Sequence, residues 1–145
     1  MLQIVALALA SSLTFQSAPQ QKSAAELYAQ GSFELALKAY RAIPQDKLAP
    51  AERRRLEERI LECDARSALA SANPDPSRYE TAIKALLEFQ RKAERPEDKD
   101  QVWAEAEEAL GDVYYMHPNR RDWSSAWPYY NAALEWWSGS TSRRG

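Results

Sequence analysis

Apolar residues recur along this chain at helical spacing, in three blocks separated by proline-bearing loops. Phe33, Ala36, Leu37, Tyr40 and Ile43 fall on one face of a helix that Pro44 ends. Before it, Ser23 and Glu26 have the spacing of a capping box, which predicts a short helix carrying Ala24, Leu27 and Tyr28 that stops near Gly31. The two form a first hairpin. After a loop from Gln45 to Ala49, Pro50 suits the first turn of a long helix running to about Ala72. Leu56, Ile60 and Cys63 lie on one stripe of it, with Leu61, Ala65, Ala68 and Leu69 beside them. Asn73 to Pro76 breaks that helix. Ser77 with Glu80 predicts a second capping box, followed by the apolar face Tyr79, Ala82, Ile83, Leu86 and Phe89. This is the second hairpin.

A charged connection from Glu94 to Asp100, broken by Pro96, leads to a helix from about Asp100 to Tyr115. Its apolar face is Val102, Trp103, Ala106, Ala109, Leu110, Val113 and Tyr114. Beyond the loop His117 to Asp122, Asp122 can cap a last helix that is predicted to end before Gly139, leaving residues 138–145 as a disordered tail. The reading is therefore all-α, about six helices in one domain over residues 22–137. With 145 residues, 45% hydrophobic and 28% charged, the chain suits a single domain. Its net charge of −2 gives no general attraction to polyanions, so no nucleic-acid partner is expected.

The second helices of the three blocks align by their first aromatic residue. Phe33, Tyr79 and Trp123 are followed at +3 by Ala36, Ala82 and Ala126, and at +4 by Leu37, Ile83 and Trp127. At +7 come Tyr40, Leu86 and Tyr130; at +10, Ile43, Phe89 and Ala133. The repeated alanine is the informative position, because it lets a facing helix approach closely. These residues resemble the tetratricopeptide repeat family. The third block matches best: Leu110, Gly111 and Tyr114 fall at first-helix positions, and Trp123, Ala126, Tyr130 and Ala133 at second-helix positions. The resemblance implies a right-handed stack of antiparallel helical hairpins, an α-solenoid used for protein or peptide binding. The copies recur at 46 and 44 residues (79 − 33 and 123 − 79), longer than the family's usual ~34, so helices or loops must absorb the surplus. Pro128, early in the last helix, also departs from the pattern.

Residues 1–21 carry no ionisable side chain, and Leu2 to Phe15 form an apolar run ending in Gln16, Ser17 and Ala18. This reads as a secretory signal peptide, which would place the mature protein in the periplasm, the cell envelope or the medium. The alternative is that the segment stays as a helix covering the apolar end of the stack, in a cytoplasmic protein. At this length it is too short for a permanent span of ~20 residues, and no stable membrane span is expected after its removal.

All five tryptophans lie between Trp103 and Trp137. One helix pair cannot bury all of these and the neighbouring tyrosines. Tyr129 and Trp136 lie off the centre of the last helix's apolar stripe; with Trp137 they read either as core of the repeat or as candidates for an aromatic partner surface. The resemblance implies a groove lined by the first helices. Glu105, Glu108 and Asp112, in a stretch whose basic residues are Arg95 and Lys99, would then favour a basic ligand. A second copy of the chain is the other partner considered. The ending Trp136, Trp137, Ser138, Gly139 also resembles helical segments of large bacterial macroglobulin-like proteins. That suggests a structural module or the amino-terminal piece of such an envelope protein.

Chemistry is sparsely represented. Cys63 is the single cysteine and His117 the single histidine, on different predicted elements, so a Cys/His enzyme is a remote alternative. The four glycines build no phosphate loop or dinucleotide fingerprint. No catalytic, metal or cofactor residues are assigned, and the expectation is a non-enzymatic adaptor.

Overall fold

The structure is a computed structural model that describes residues 22–71, 75–117 and 121–142, with side chains up to residue 139. The apolar amino-terminal segment, the Asn73 and Pro74 part of the second breaker, Pro118 and the last three residues of the expected tail lie outside the described residues. The described residues form six α-helices and no strand: α1 Ala24–Ala29, α2 Phe33–Arg41, α3 Pro50–Ala70, α4 Pro76–Arg91, α5 Gln101–Tyr115 and α6 Trp123–Ser142. Short 3-10 turns at Gln45–Lys47 and Pro96–Asp98 link α2 to α3 and α4 to α5.

Local chemistry sets most of these boundaries. Glu26 N–H donates to Ser23 Oγ at 3.2 Å and Ser23 N–H to Glu26 Oε2 at 2.7 Å, the reciprocal capping box. Gly31 turns the chain into α2 at φ +71°, a left-handed conformation that side chains with a Cβ resist. Pro50 opens α3, and Asp100 and Asp122 cap the last two helices by accepting from Trp103 N–H (2.9 Å) and Ser125 N–H (3.1 Å). Two ends differ from the sequence reading. Asp75, not Ser77, caps α4, accepting from Ser77 N–H, because Pro76 with its preset φ occupies the first helical position. At the other end, α6 runs through Gly139 to Ser142, whereas the sequence predicts a stop and a disordered tail from residue 138. Gly139 does not adopt the positive φ of a helix stop, and Trp136 Nε1–H donates to Lys99 O at 2.8 Å, tying the last turns of α6 to the α4–α5 connection.

Consecutive helices pack on each other from α1 to α6, the pair α4 and α5 included, and α3 additionally touches α5. Three apolar clusters result. Ala36, Leu37 and Cys63 join α2 to α3; Ala65, Ala68, Tyr79, Ala82, Ile83 and Val113 join α3, α4 and α5. Leu86, Phe89, Val102, Ala106, Ala109 and Leu110 join α4 to α5. The repeated alanines Ala36, Ala82 and Ala126 are all buried, as close helix approach requires.

Gly111 shows the closest approach. A Cβ placed there would sit 2.6 Å from the Tyr130 ring, so α5 and α6 meet where no side chain fits between them. Gly111→Ala is expected to lower unfolding free energy by about 1–3 kcal/mol, despite the ~1 kcal/mol that helix propensity alone would add. Urea unfolding checks this, and a stabilised variant would mean that Tyr130 moves aside without loss.

Candidate interaction surfaces

Two surfaces stand out: the face where α1, α3 and α5 line up, and the outer face of α6. On the first, α3 carries Arg54, Arg55, Arg59 and Arg66, and α5 with its cap carries Asp100, Glu105 and Asp112. Arg59 donates to Glu105 at 2.8 Å, Arg55 to Glu105 at 2.9 Å and Arg66 to Asp112 at 2.5 Å, while Arg54 pairs with Asp100. The pairs Arg54–Asp100, Arg59–Glu105 and Arg66–Asp112 each span 46 residues, the interval between the first two copies of the aligned aromatic face.

The network continues sideways. Tyr28 of α1 donates its hydroxyl to Glu62 at 2.8 Å and accepts from Arg59 at 2.9 Å, with the guanidinium 4.5 Å from the Tyr28 ring centre. Glu62 also accepts from Arg59 at 2.7 Å and Arg66 at 2.8 Å, and Tyr130 of α6 donates to Asp112 at 2.6 Å. One chain of polar contacts thus crosses α1, α3, α5 and α6. Burial and the carboxylates that accept their hydroxyls push Tyr28 and Tyr130 well above the usual phenol range.

These contacts correct the expectation that the acids of α5 face little positive charge. Glu105 and Asp112 are mostly covered and already spent on arginines of α3, and Glu108 accepts from Trp137 Nε1–H. The signal was present in the sequence as arginines placed one 46-residue interval before the acids.

Beneath this face lies Glu58, a residue the sequence reading did not single out. It is fully buried and neither carboxylate oxygen has a hydrogen-bond partner among the described residues; Arg59 Nη1 lies 3.6 Å away. Burial first, then the neighbouring Glu62 and Glu105, push its carboxyl up to about 8 against the pull of Arg59. Cys63 is also buried, and burial together with Glu62 and Glu58 raises its thiol to about 12, a range with almost no thiolate at neutral pH. Cys63 packs between α2 and α3, while the His117 ring lies edge-on to Tyr79 at 4.6 Å, so the two sit in different clusters. The described residues hold no metal-ligating cluster of three, and none of their helices is long and apolar enough to cross a membrane.

On α6 the aromatic candidates divide. Tyr129 stacks on Tyr114 with ring centres 5.5 Å apart and planes 6° from parallel, against the α4–α5 cluster. Trp136 and Trp137 are half-buried, tied through their indole N–H groups to Lys99 O and Glu108. These three are fastened to their own chain. Trp136→Ala is expected to cost about 1–3 kcal/mol in a thermal or urea melt. An unchanged melt would return Trp136 to the surface.

The exposed aromatic residues are others. Trp123 is 54% exposed, Trp127 48% and Leu134 62%, and exposed Tyr115 at the end of α5 adjoins Trp123. Ring contacts run from Tyr115 to Trp123 (5.8 Å) and from Trp123 to Trp127 (5.5 Å), so the patch is continuous. The aligned positions elsewhere are covered: Leu37 is 2% exposed, Ile83 6% and Tyr79 7%. Comparison with known family models, curated proteins and solved structures finds no match for this chain.

Proposed function

We propose that the chain is a tetratricopeptide-like scaffold, a right-handed α-solenoid of three hairpins, that holds a protein partner without catalysing a reaction. The observation that carries this reading is the bare aromatic face of α6, where Trp123 and Trp127 stand exposed while their counterparts Tyr79, Leu37 and Ile83 are buried and Phe33 is partly buried. A contiguous exposed aromatic patch rich in tryptophan is a usual mark of an interaction site. The face is also poor in charge, since Glu135 is the single Asp, Glu, Lys or Arg in α6, which matches the depletion of charge at interface cores. Polar contacts on the face of α1, α3 and α5 favour a structural role there, because its acids and arginines already satisfy one another. Export from a bacterial cytoplasm belongs to the proposal and rests on the apolar run Leu2 to Phe15.

Light scattering on tagged protein recovered from its native host tests the reading. The wild-type chain is expected to elute in a complex heavier than a monomer, and Trp123→Ser/Trp127→Ser as a folded monomer. Equal masses for the two would contradict a partner surface on α6. If the heavier species contains only this chain, the partner is a second copy, and the self-associating alternative takes over.

A further inference from the structure

We propose that the first hairpin, α1 with α2, is a pH-sensitive flap: it swings off α3 as Glu58 loses its proton, and so uncovers Cys63. Among the described residues this hairpin joins the rest of the chain through the connection 42–49 and packs chiefly on α3. Its apolar hold is small. α1 buries no residue, and α2 buries two, Ala36 and Leu37, in a cluster with Cys63. Polar ties complete the attachment. Arg41 donates to Asp64 at 3.2 Å and Arg78 of α4 to Glu34 at 3.1 Å, but both pairs are open to water and hold weakly. The tie that reaches inward is Tyr28, whose hydroxyl donates to Glu62 and accepts from Arg59. A segment with so little buried contact opens at lower free energy than the domain as a whole.

Glu58 sits where this tie is made. Its Oε2 lies 3.6 Å from Arg59 Nη1, the nitrogen that donates to the Tyr28 hydroxyl at 2.9 Å and to Glu62 at 2.7 Å. A guanidinium nitrogen has a pair of N–H bonds to give, so these acceptors compete for it. While Glu58 is neutral, Tyr28 and Glu62 take both. Once ionised, Glu58 displaces the phenol, because a carboxylate is the stronger acceptor for a cation. It also repels Glu62 at i+4, the other partner of Tyr28. The charge balance agrees. Arg55, Arg59 and Arg66 meet Glu62, Glu105 and Asp112, equal in number, and an ionised Glu58 adds an unmatched anion.

Glu58 is faced by Glu105 of α5 and Tyr40 of α2, and on its own helix by Arg59, Glu62 and Cys63. The charges that α4 turns toward α3 go elsewhere, Lys92 to Glu57 and Arg78 to Asp64. A buried carboxylate without hydrogen bonds draws in water when it ionises. The first hairpin is the cover that admits water with the smallest loss of apolar contact, and Tyr40 and Cys63 beneath it lie within reach of the Glu58 charge. Burial holds the covered carboxyl up to about 8, and exposure returns it toward 4.5. The closed form is therefore fully favoured below about pH 4.5, and opening grows from there to about pH 8 and then levels off.

Cys63, the single cysteine, reports the opening. The full chain is labelled with dithiodipyridine between pH 5.5 and 8, and each rate is divided by that of the urea-unfolded chain at the same pH, which removes the effect of thiol ionisation. The quotient is expected to rise at least about tenfold in the wild type and less than about twofold in Glu58→Gln and in Glu58→Leu. Tyr28→Phe is expected to raise the quotient at pH 5.5, with circular dichroism unchanged. Low urea should barely alter the wild-type rate, as local opening requires. A flat wild-type profile, the same rise in both Glu58 variants, or a Tyr28→Phe protein that labels no faster would overturn the proposal. Labelling that accelerates with urea as steeply as global unfolding would overturn it too, because the whole domain rather than the hairpin would then be opening.

Discussion

Replacing Arg59 with Ala is expected to be the most damaging single substitution in the chain, lowering unfolding free energy at pH 7 by about 3–5 kcal/mol. Arg59 donates to Tyr28, Glu62 and Glu105 on three helices and is the cation beside buried Glu58. Its side chain is 18% exposed, so water screens the lost interactions poorly. Without it, Tyr28, Glu62 and Glu105 each lose a donor, and the carboxylates of Glu62 and Glu105 are left with Arg66 and Arg55 alone. The melting temperature should fall by more than ~10 °C. Arg59→Lys is expected to recover only part of the loss, because an ammonium cannot fork between Glu62 and Glu105 as the guanidinium does. Combining Arg59→Ala with Glu105→Gln should cost less than the sum of the two single changes, by at least ~1 kcal/mol. A loss below about 1 kcal/mol for Arg59→Ala would show that the helices hold their spacing without the network.

Glu58 sets the second large effect, a stability that declines toward alkaline pH. Its folded-state carboxyl is raised from an ordinary value of 4.5 to about 8, so the folded protein keeps a proton that the unfolded chain releases. The sign follows from linkage: where the folded state binds more protons, stability falls as pH rises. Glu58's contribution is therefore complete below about pH 4.5, declines across the window up to about 8, and is lost above it. The slope within that window approaches ~1.4 kcal/mol per pH unit. Glu58→Gln should flatten that slope, and Glu58→Leu should do the same with a net gain in stability at pH 8. Urea titrations at pH 5, 6.5 and 8 measure this. A wild-type stability that rises through the same interval, or a slope unchanged in Glu58→Gln, would place the titrating group elsewhere.

The sequence makes helix ends legible where a single residue carries the physics. Ser23 with Glu26, Gly31, Pro50 and Asp122 all act at the positions their chemistry predicts. The apolar faces of α2, α4 and α5 were readable for the same reason, since a helix packed on two neighbours must repeat its buried residues at 3.6 spacing. Two features lay beyond that logic. Periodicity names a stripe on α6 but not which part of it has a neighbour, so core and partner surface both stayed open for Tyr129 and Trp136; both contact their own chain, while Trp127 is bare. The charge network was missed because acids on α5 were weighed against basic residues nearby in sequence. Their partners lie on α3, 46 or 50 residues earlier. Glu58 was invisible for a further reason: on a helix as charged as α3, nothing in the residue order marks which glutamate the fold will bury.

The most direct test of the central claim is a photo-crosslinking residue placed at Trp127 on the outer face of α6 and, separately, at Arg55 on the ion-paired face. Both proteins would be expressed in the native host and irradiated there. A discrete heavier adduct from position 127 and none from position 55 is the result expected of a scaffold that binds through α6. An adduct from position 55 alone would contradict that account and move the partner to the face where α1, α3 and α5 meet.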